Sequence, residues 1–205
     1  MHEIIRLFHQ AILEYSLLEV AGVLFGLLSV IYAKKENILV FPTGIISVLI
    51  YMYLTFHAKL YADMGINGYY FIMSVYGWYY WSKKGSTGED TPVTTNSARE
   101  WLWTLIILVL SFFILYILLL KLTDSDVPLI DAVTTAIFFV GMQLMAKKKI
   151  ENWIAWIIGD FISIPLYFYK GLVLTSFQFL IFFILAIAGY ISWKKTLRQR
   201  KESGK

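Results

Sequence analysis

Trp153, Trp156, Asp160, Ser163 and Tyr167 follow one another at intervals of three and four residues. At about 100° per residue this places them on one face of a helix. Apart from Asp160, the stretch 152–169 carries no charge. A carboxylate in the middle of such a segment costs about 2.5 to 3.5 kcal/mol in a membrane, so it must face a protein interior or water. Asp160 therefore either lines a ligand path or accepts hydrogen bonds from neighbouring hydroxyls and indoles and locks helices together. Asn67, Tyr70, Ser74, Trp78 and Trp81 repeat the same spacing earlier in the chain. Stacked aromatics beside a carboxylate and amides suit a flat heterocycle, above all a cationic one, because ring faces attract cations and stack on other rings.

The remaining polar residues inside apolar stretches are Gln143, Gln178, Asn37 and Asn152, and either asparagine can equally serve as a helix cap. Trp81 and Trp193 each adjoin basic residues and read first as interfacial anchors. The candidate substrate-binding set is Asn67, Tyr70, Ser74, Trp78, Gln143, Asn152, Trp153, Trp156, Asp160 and Tyr167. Covalent chemistry has little support. There is no cysteine, no P-loop pattern, no nucleophile–base constellation, and His2, His9 and His57 form no ligand cluster. The expectation is a binding protein that is not an enzyme, with no cofactor and no metal.

The elements that must position these groups are membrane spans. The chain has 205 residues, 59% of them hydrophobic and 18% aromatic, against roughly 45–50% apolar in soluble domains. Residues 37–58, 64–82, 101–120 and 171–193 contain no Asp, Glu, Lys or Arg, and each run is long enough to cross about 30 Å of hydrocarbon as a helix. Segments 17–33, 129–146 and 152–169, each interrupted by one acid, add three more. The expected fold is an all-α integral membrane protein of seven transmembrane helices.

Basic residues set the expected orientation. Fourteen of the 18 Lys and Arg side chains fall in the joints after spans one, three, five and seven, and only Arg6, Lys59, Lys121 and Lys170 fall on the other side. Because basic loops stay in the cytoplasm, the N-terminus is expected outside and the C-terminus inside. The net charge of +4 is then a topology signal and the basic tail a solvated or lipid-touching segment, with no call for nucleic acid. Met1 to Tyr15 has apolar residues at helical spacing between Glu3, Arg6 and Gln10 and reads as a short interfacial helix rather than a signal peptide.

The chain also repeats itself. Ala33-Lys34-Lys35 matches Ala146-Lys147-Lys148, Glu36-Asn37 matches Glu151-Asn152, and Gly44 matches Gly159. Tyr70-Phe71 matches Phe182-Phe183, and both stretches end in Gly-x-x-x-Trp, at Gly77–Trp81 and Gly189–Trp193. One span separates the triplets, so both have the same orientation and the repeat is parallel, with a substrate path expected between the halves. The expected organisation is an interfacial segment at 1–16, a first three-helix repeat at 17–84, a loop, linker helix and outer loop at 85–128, a second repeat at 129–193, and a basic tail at 194–205. Pro42 and Pro165, inside spans two and six, are hinge candidates.

Glu151-Asn152-Trp153-x-x-Trp156, Leu166-Tyr167-x-Tyr169-Lys170-Gly171 and Val75-Tyr76-Gly77-Trp78-Tyr79-x-Trp81 resemble the PnuC family of bacterial vitamin transporters over nearly the whole chain. That resemblance implies a SWEET-like fold, a homotrimer in the inner membrane, and uptake of nicotinamide riboside by facilitated diffusion, with trapping by a cytoplasmic kinase. Nicotinamide riboside members of the family tend to carry Gln at the position of Asn67 and Asn at those of Ser74 and Asp160. At these positions the resemblance leaves thiamine and riboflavin open beside nicotinamide riboside. Proton coupling through Asp160, or a role as a membrane scaffold or receptor subunit without transport, are the other readings of the same residues.

Overall fold

A computed structural model describes residues 16–84 and 90–203. The interfacial helix expected over Met1 to Tyr15 lies outside the described residues. Seven helices follow in order: α1 (Leu17–Lys34), α2 (Val40–His57), α3 (Tyr61–Ser82), α4 (Ala98–Leu122), α5 (Pro128–Ala146), α6 (Asn152–Tyr169) and α7 (Val173–Glu202). Among the described residues there are no strands, only two isolated backbone bridges. Helices α1, α2, α4, α5 and α7 are long and apolar enough to cross a membrane. Tyrosines, glycines and Asn67 dilute the apolar content of α3, and Asp160 and Asn152 that of α6.

Helix ends follow local chemistry. Ser16 and Ser97 each accept from a backbone N–H three residues on, and Glu19 and Glu100 return the bond, two reciprocal caps that satisfy otherwise orphaned donors. Pro128 opens α5 in the first turn, where its missing N–H costs nothing. Pro165 lies inside α6; Pro42 stands in the first turn of α2, where it replaces no intrahelical bond and is a helix starter rather than a hinge.

Consecutive helices pack together from α1 through α3 and from α4 through α7, while α1 also meets α7 and α3 meets α5. The loops at the Lys-rich end match in fine detail. Lys35 (φ −86°, ψ 6°) and Lys147 (φ −91°, ψ 6°) close α1 and α5, and Glu36 and Lys148 follow at the same positive φ of 55°. Leu39 (φ −62°, ψ −10°) and Glu151 (φ −63°, ψ −14°) then open α2 and α6. At the other end Lys59 and Gly171 take positive φ of 61° and 75°, and Leu60 (φ −86°, ψ 68°) and Leu172 (φ −89°, ψ 68°) start the next helices. Every pair is 112 residues apart.

This register differs from the sequence match at one end. Tyr70 with Phe182 and Gly77 with Gly189 keep it, but the backbone partner of Glu36 is Lys148 and that of Leu39 is Glu151. The two Glu-Asn pairs are therefore three positions out of step, one glutamate sitting in the left-handed turn and the other at a helix cap.

Helix α4 packs chiefly on α5, through Leu115, Phe112 and Tyr116 against Ala132 and Ala136. Its other face, including Leu102, Leu105, Phe113 and Ile117, is exposed. The stretch before it is docked to the α5–α6 loop: Thr94 N–H donates to the Lys148 carbonyl (3.1 Å), Ile150 N–H to Thr94 (3.0 Å), and Asn96 N–H to Glu151 Oε1 (2.8 Å).

Candidate functional site

Between α1–α3 on one side and α5–α7 on the other lies a cavity of about 310 Å³, at the small end of the 300–1,000 Å³ typical of small-molecule sites. Helix α6 supplies Trp153, Trp156 and Asp160 to it, so the first three positions of the predicted face reach the cavity together. The rest of that face does not line it. Ser163 is fully buried with an unpartnered hydroxyl. Tyr167 stacks on Phe179 (4.9 Å between centroids, 24°) with the Lys170 ammonium 5.6 Å from its ring.

Asp160 is 3% exposed, and its carboxyl makes no hydrogen bond or ion pair among the described residues. Nothing bonds it to a neighbouring helix, as the locking alternative requires. The indole N–H groups of Trp153 and Trp156 are likewise buried without a partner. Unpaired polar groups in a dry interior cost about 1–3 kcal/mol each. Asp160 lines the cavity, which leaves the cost of its carboxyl to be offset by a bound ligand or water.

The aromatic wall continues on helices that the spacing argument did not single out. Phe138 of α5 stacks on Trp156 (5.5 Å, 27°) and on Phe179 of α7 (5.9 Å, 7°), and Phe182 also faces the cavity. Phe138 lies so close to α6 that a Cβ on Gly159 would stand 2.2 Å from its ring, which leaves glycine as the residue that fits. No polar signal marked these phenylalanines. They sit in uniformly apolar spans where any face could have been the inner one.

Opposite stands a wall from the first three helices. Tyr70 and Ser74 of α3 line the cavity together with Ser29, Ser47 and the glycines at 26 and 44. Asn67 and Trp78 are not brought to it. Asn67 Nδ2 donates to the Asp63 carbonyl within its own helix (2.9 Å), and Trp78 is 42% exposed. The cause is Gly77: a Cβ there would meet Phe41 at 2.3 Å and the Ala146 backbone at 3.1 Å, so the Gly77 edge of α3 is the one drawn inward. Tyr70, Ser74 and Trp81 thus keep the face the polar spacing suggested, and only its Asn67 and Trp78 edge is turned away.

Gln143 and Asn152 also lie outside the lining. Gln143 is buried with its Oε1 unpartnered. Asn152, fully buried, donates to the Lys149 carbonyl (2.5 Å) and so holds the α5–α6 loop.

Below Phe41 and Trp153 the Lys-rich end is sealed. Trp81 packs edge-on against Phe41 (5.1 Å, 88°) and Trp153 edge-on against Trp193 (5.5 Å, 88°). Beneath them Lys148 stands 4.5 Å from the Trp81 ring and 3.8 Å from Glu36, whose other oxygen accepts from Thr196 (2.7 Å). Burial pulls the Lys148 ammonium below the ordinary lysine value, and Glu36 partly restores it. At the opposite end Lys170 pairs with both oxygens of Asp131 (2.6 and 2.7 Å). Among the described residues no group of three His, Asp or Glu comes together that would hold a metal ion.

Helices that cross a membrane around an aromatic chamber, closed at its basic end and lined by an unpaired carboxyl, define a multi-pass membrane transporter for a small molecule. The family follows from comparison. Residues 16–195 match the model of the nicotinamide mononucleotide transporter family, and the chain belongs to that family. It is 24% identical over 212 residues to the nicotinamide riboside transporter PnuC of Escherichia coli (strain K12), covering 91% of this chain and 89% of that one. With PnuC of Neisseria mucosa it shares 29% over 188 residues, 85% of this chain and 70% of that one. The riboflavin/roseoflavin transporter RibM of Streptomyces davaonensis is 25% identical over 192 residues, 90% and 87% of the two chains. A crystal structure of the vitamin B3 transporter PnuC superimposes with a TM-score of 0.71 at 27% identity, over 94% of this chain and 88% of that one.

Proposed function

We propose that this transporter carries nicotinamide riboside across the bacterial inner membrane by facilitated diffusion, the product being trapped by a cytoplasmic kinase. The observation that carries the reading is the unpaired Asp160 carboxyl at the edge of a stacked aromatic wall. A flat cationic ring offers what that wall lacks: a positive charge for the carboxylate and a face for Trp156 and Phe138. The same charge argument disfavours a neutral flavin. It does not disfavour thiamine, which is the second reading.

All seven helices cross the membrane in this proposal, as two parallel triplets, α1–α3 and α5–α7, joined by the linker α4. The shared loop geometry 112 residues apart supports it. Transport then consists of the triplets rocking about the chamber, with the Lys-rich loops in the cytoplasm and the N-terminus outside. Three copies assemble through lipid-facing surfaces into a homotrimer.

A tryptophan-fluorescence titration with nicotinamide riboside, thiamine and riboflavin side by side tests the substrate. Nicotinamide riboside should bind at least tenfold more tightly than riboflavin, and a preference for thiamine would transfer the assignment to it. Uptake by reconstituted vesicles tests the mechanism. Labelled substrate should equilibrate without a pH gradient, and accumulation driven by such a gradient would replace facilitated diffusion with proton coupling through Asp160.

A further inference from the structure

The two walls of the chamber have matching backbones and opposite fillings. Where α1 meets α2, a Cβ on Gly26 would lie 3.2 Å from Ser47 Oγ, and one on Gly44 would lie 3.0 Å from Ser29 Oγ. The same two contacts recur 112 residues later between α5 and α6. There Phe138 lies on Gly159, and Trp156 lies 3.2 Å from a Cβ built on Gly141. The second triplet fills with a large ring the positions that the first leaves as glycine.

The first wall is therefore recessed, and among Val30, Val48, Tyr70 and other apolar residues it carries the hydroxyls of Ser29, Ser47 and Ser74. Ser29 donates to the Val40 carbonyl and Ser47 to the Gly22 carbonyl, each at 2.8 Å. With its one hydrogen committed, each of these oxygens has only acceptor capacity left for a ligand. Ser74, 3% exposed and also lining the cavity, makes no hydrogen bond among the described residues, so its hydroxyl is free both to donate and to accept. Two acceptors and one free hydroxyl on one recessed surface match a substituent that carries several hydroxyl groups.

We propose that Ser29, Ser47 and Ser74 form a separate subsite that recognises the hydroxylated substituent of the substrate, and that Gly26 and Gly44 provide its depth. The inference rests on the reading of this chain as a carrier of a cationic vitamin and adds which wall reads which half of the molecule. The ring lies against the second triplet, and the sugar hydroxyls lie against the first. A ligand that keeps the charged ring but lacks the sugar loses only the contacts to the first wall.

The test is a binding titration with nicotinamide riboside and with 1-methylnicotinamide, which keeps the charged ring and has no hydroxyls. The unsubstituted protein should prefer the riboside by at least about tenfold, since a site built to bond hydroxyls rejects the analogue that lacks them. Ser74→Ala breaks no internal hydrogen bond. It should weaken riboside binding about three- to tenfold, as expected for one lost hydrogen bond, and change 1-methylnicotinamide binding less than about twofold. Ser29→Ala should do the same. If that variant fails to fold because α1 is untied from α2, Ser74→Ala decides alone. Equal weakening of both compounds, or of neither, overturns the subsite, as does an unsubstituted protein that binds both equally. A protein that binds neither compound overturns the transport reading itself and the subsite with it.

Discussion

Trp193 donates its indole N–H to the carbonyl of Ala33, 2.9 Å away and 160 residues earlier in the chain. Trp81, 112 residues before Trp193, donates to the carbonyl of Met145, 112 residues after Ala33 (3.3 Å). Trp193 of α7 thus pins the end of α1, and Trp81 of α3 the end of α5, at the Lys-rich end, below the chamber. The bonds are buried, so opening this end exchanges them for bonds to water and costs only about 1 kcal/mol apiece. That is firm enough to close the path and weak enough to reopen it.

Trp193→Phe keeps most of the ring packing and removes the donor. The Lys-rich end should then open more often. Because the chain has no cysteine of its own, a single Met145→Cys reporter can be labelled cleanly. The reporter should react about fivefold faster from that side when Trp193→Phe is added, by the cost of one hydrogen bond. Unchanged labelling would remove the bond from any role in closure.

Glu36 and Lys148 occupy equivalent loop positions with opposite charges and meet at 3.8 Å. Glu36→Gln leaves a buried ammonium with a weaker partner and should lower stability by about 2 kcal/mol, less than for a fully buried pair because Glu36 is partly exposed. Their equivalence makes a sharper forecast. The exchanged double variant Glu36→Lys with Lys148→Glu should recover most of what either single change loses, as read by thermal unfolding in detergent.

Asp160→Leu keeps the approximate volume of the site and removes a buried, unpaired carboxylate together with all its hydrogen-bonding capacity. The variant should be more stable, by about 1–3 kcal/mol, yet bind nicotinamide riboside about tenfold more weakly, while riboflavin binding stays the same. Unfolding and titration on one preparation check both signs together.

Trp156→Ala and Trp78→Ala separate the chamber wall from the exposed surface. Trp156 stacks on Phe138 inside the chamber and Trp78 is exposed. Loss of Trp156 should reduce affinity at least about fivefold, given about 1–3 kcal/mol for a stacked ring, and loss of Trp78 should leave it within twofold. Gly159→Ala should mimic the Trp156 loss by forcing Phe138, 2.2 Å from the new Cβ, into the cavity. Shortening that ring with Phe138→Leu in the same chain should restore part of the binding.

The amino-acid order alone determined the all-helical membrane class, because charge-free runs of span length have few other solutions in water or lipid. It also pointed to Asp160 with Trp153 and Trp156, since an acid inside an apolar helix must face inward and its i−4 and i−7 neighbours share that face. The tertiary structure decided the rest. Which edge of α3 turns inward depends on Gly77 admitting Phe41, and a polar pattern spread over Asn67, Ser74 and Trp78 carries no record of that contact. Phe138, Phe179 and Phe182 look like any lipid-facing phenylalanine until α5 and α7 close around α6. In a helix apolar on every side, only packing against neighbours selects the face that becomes the wall of a binding site.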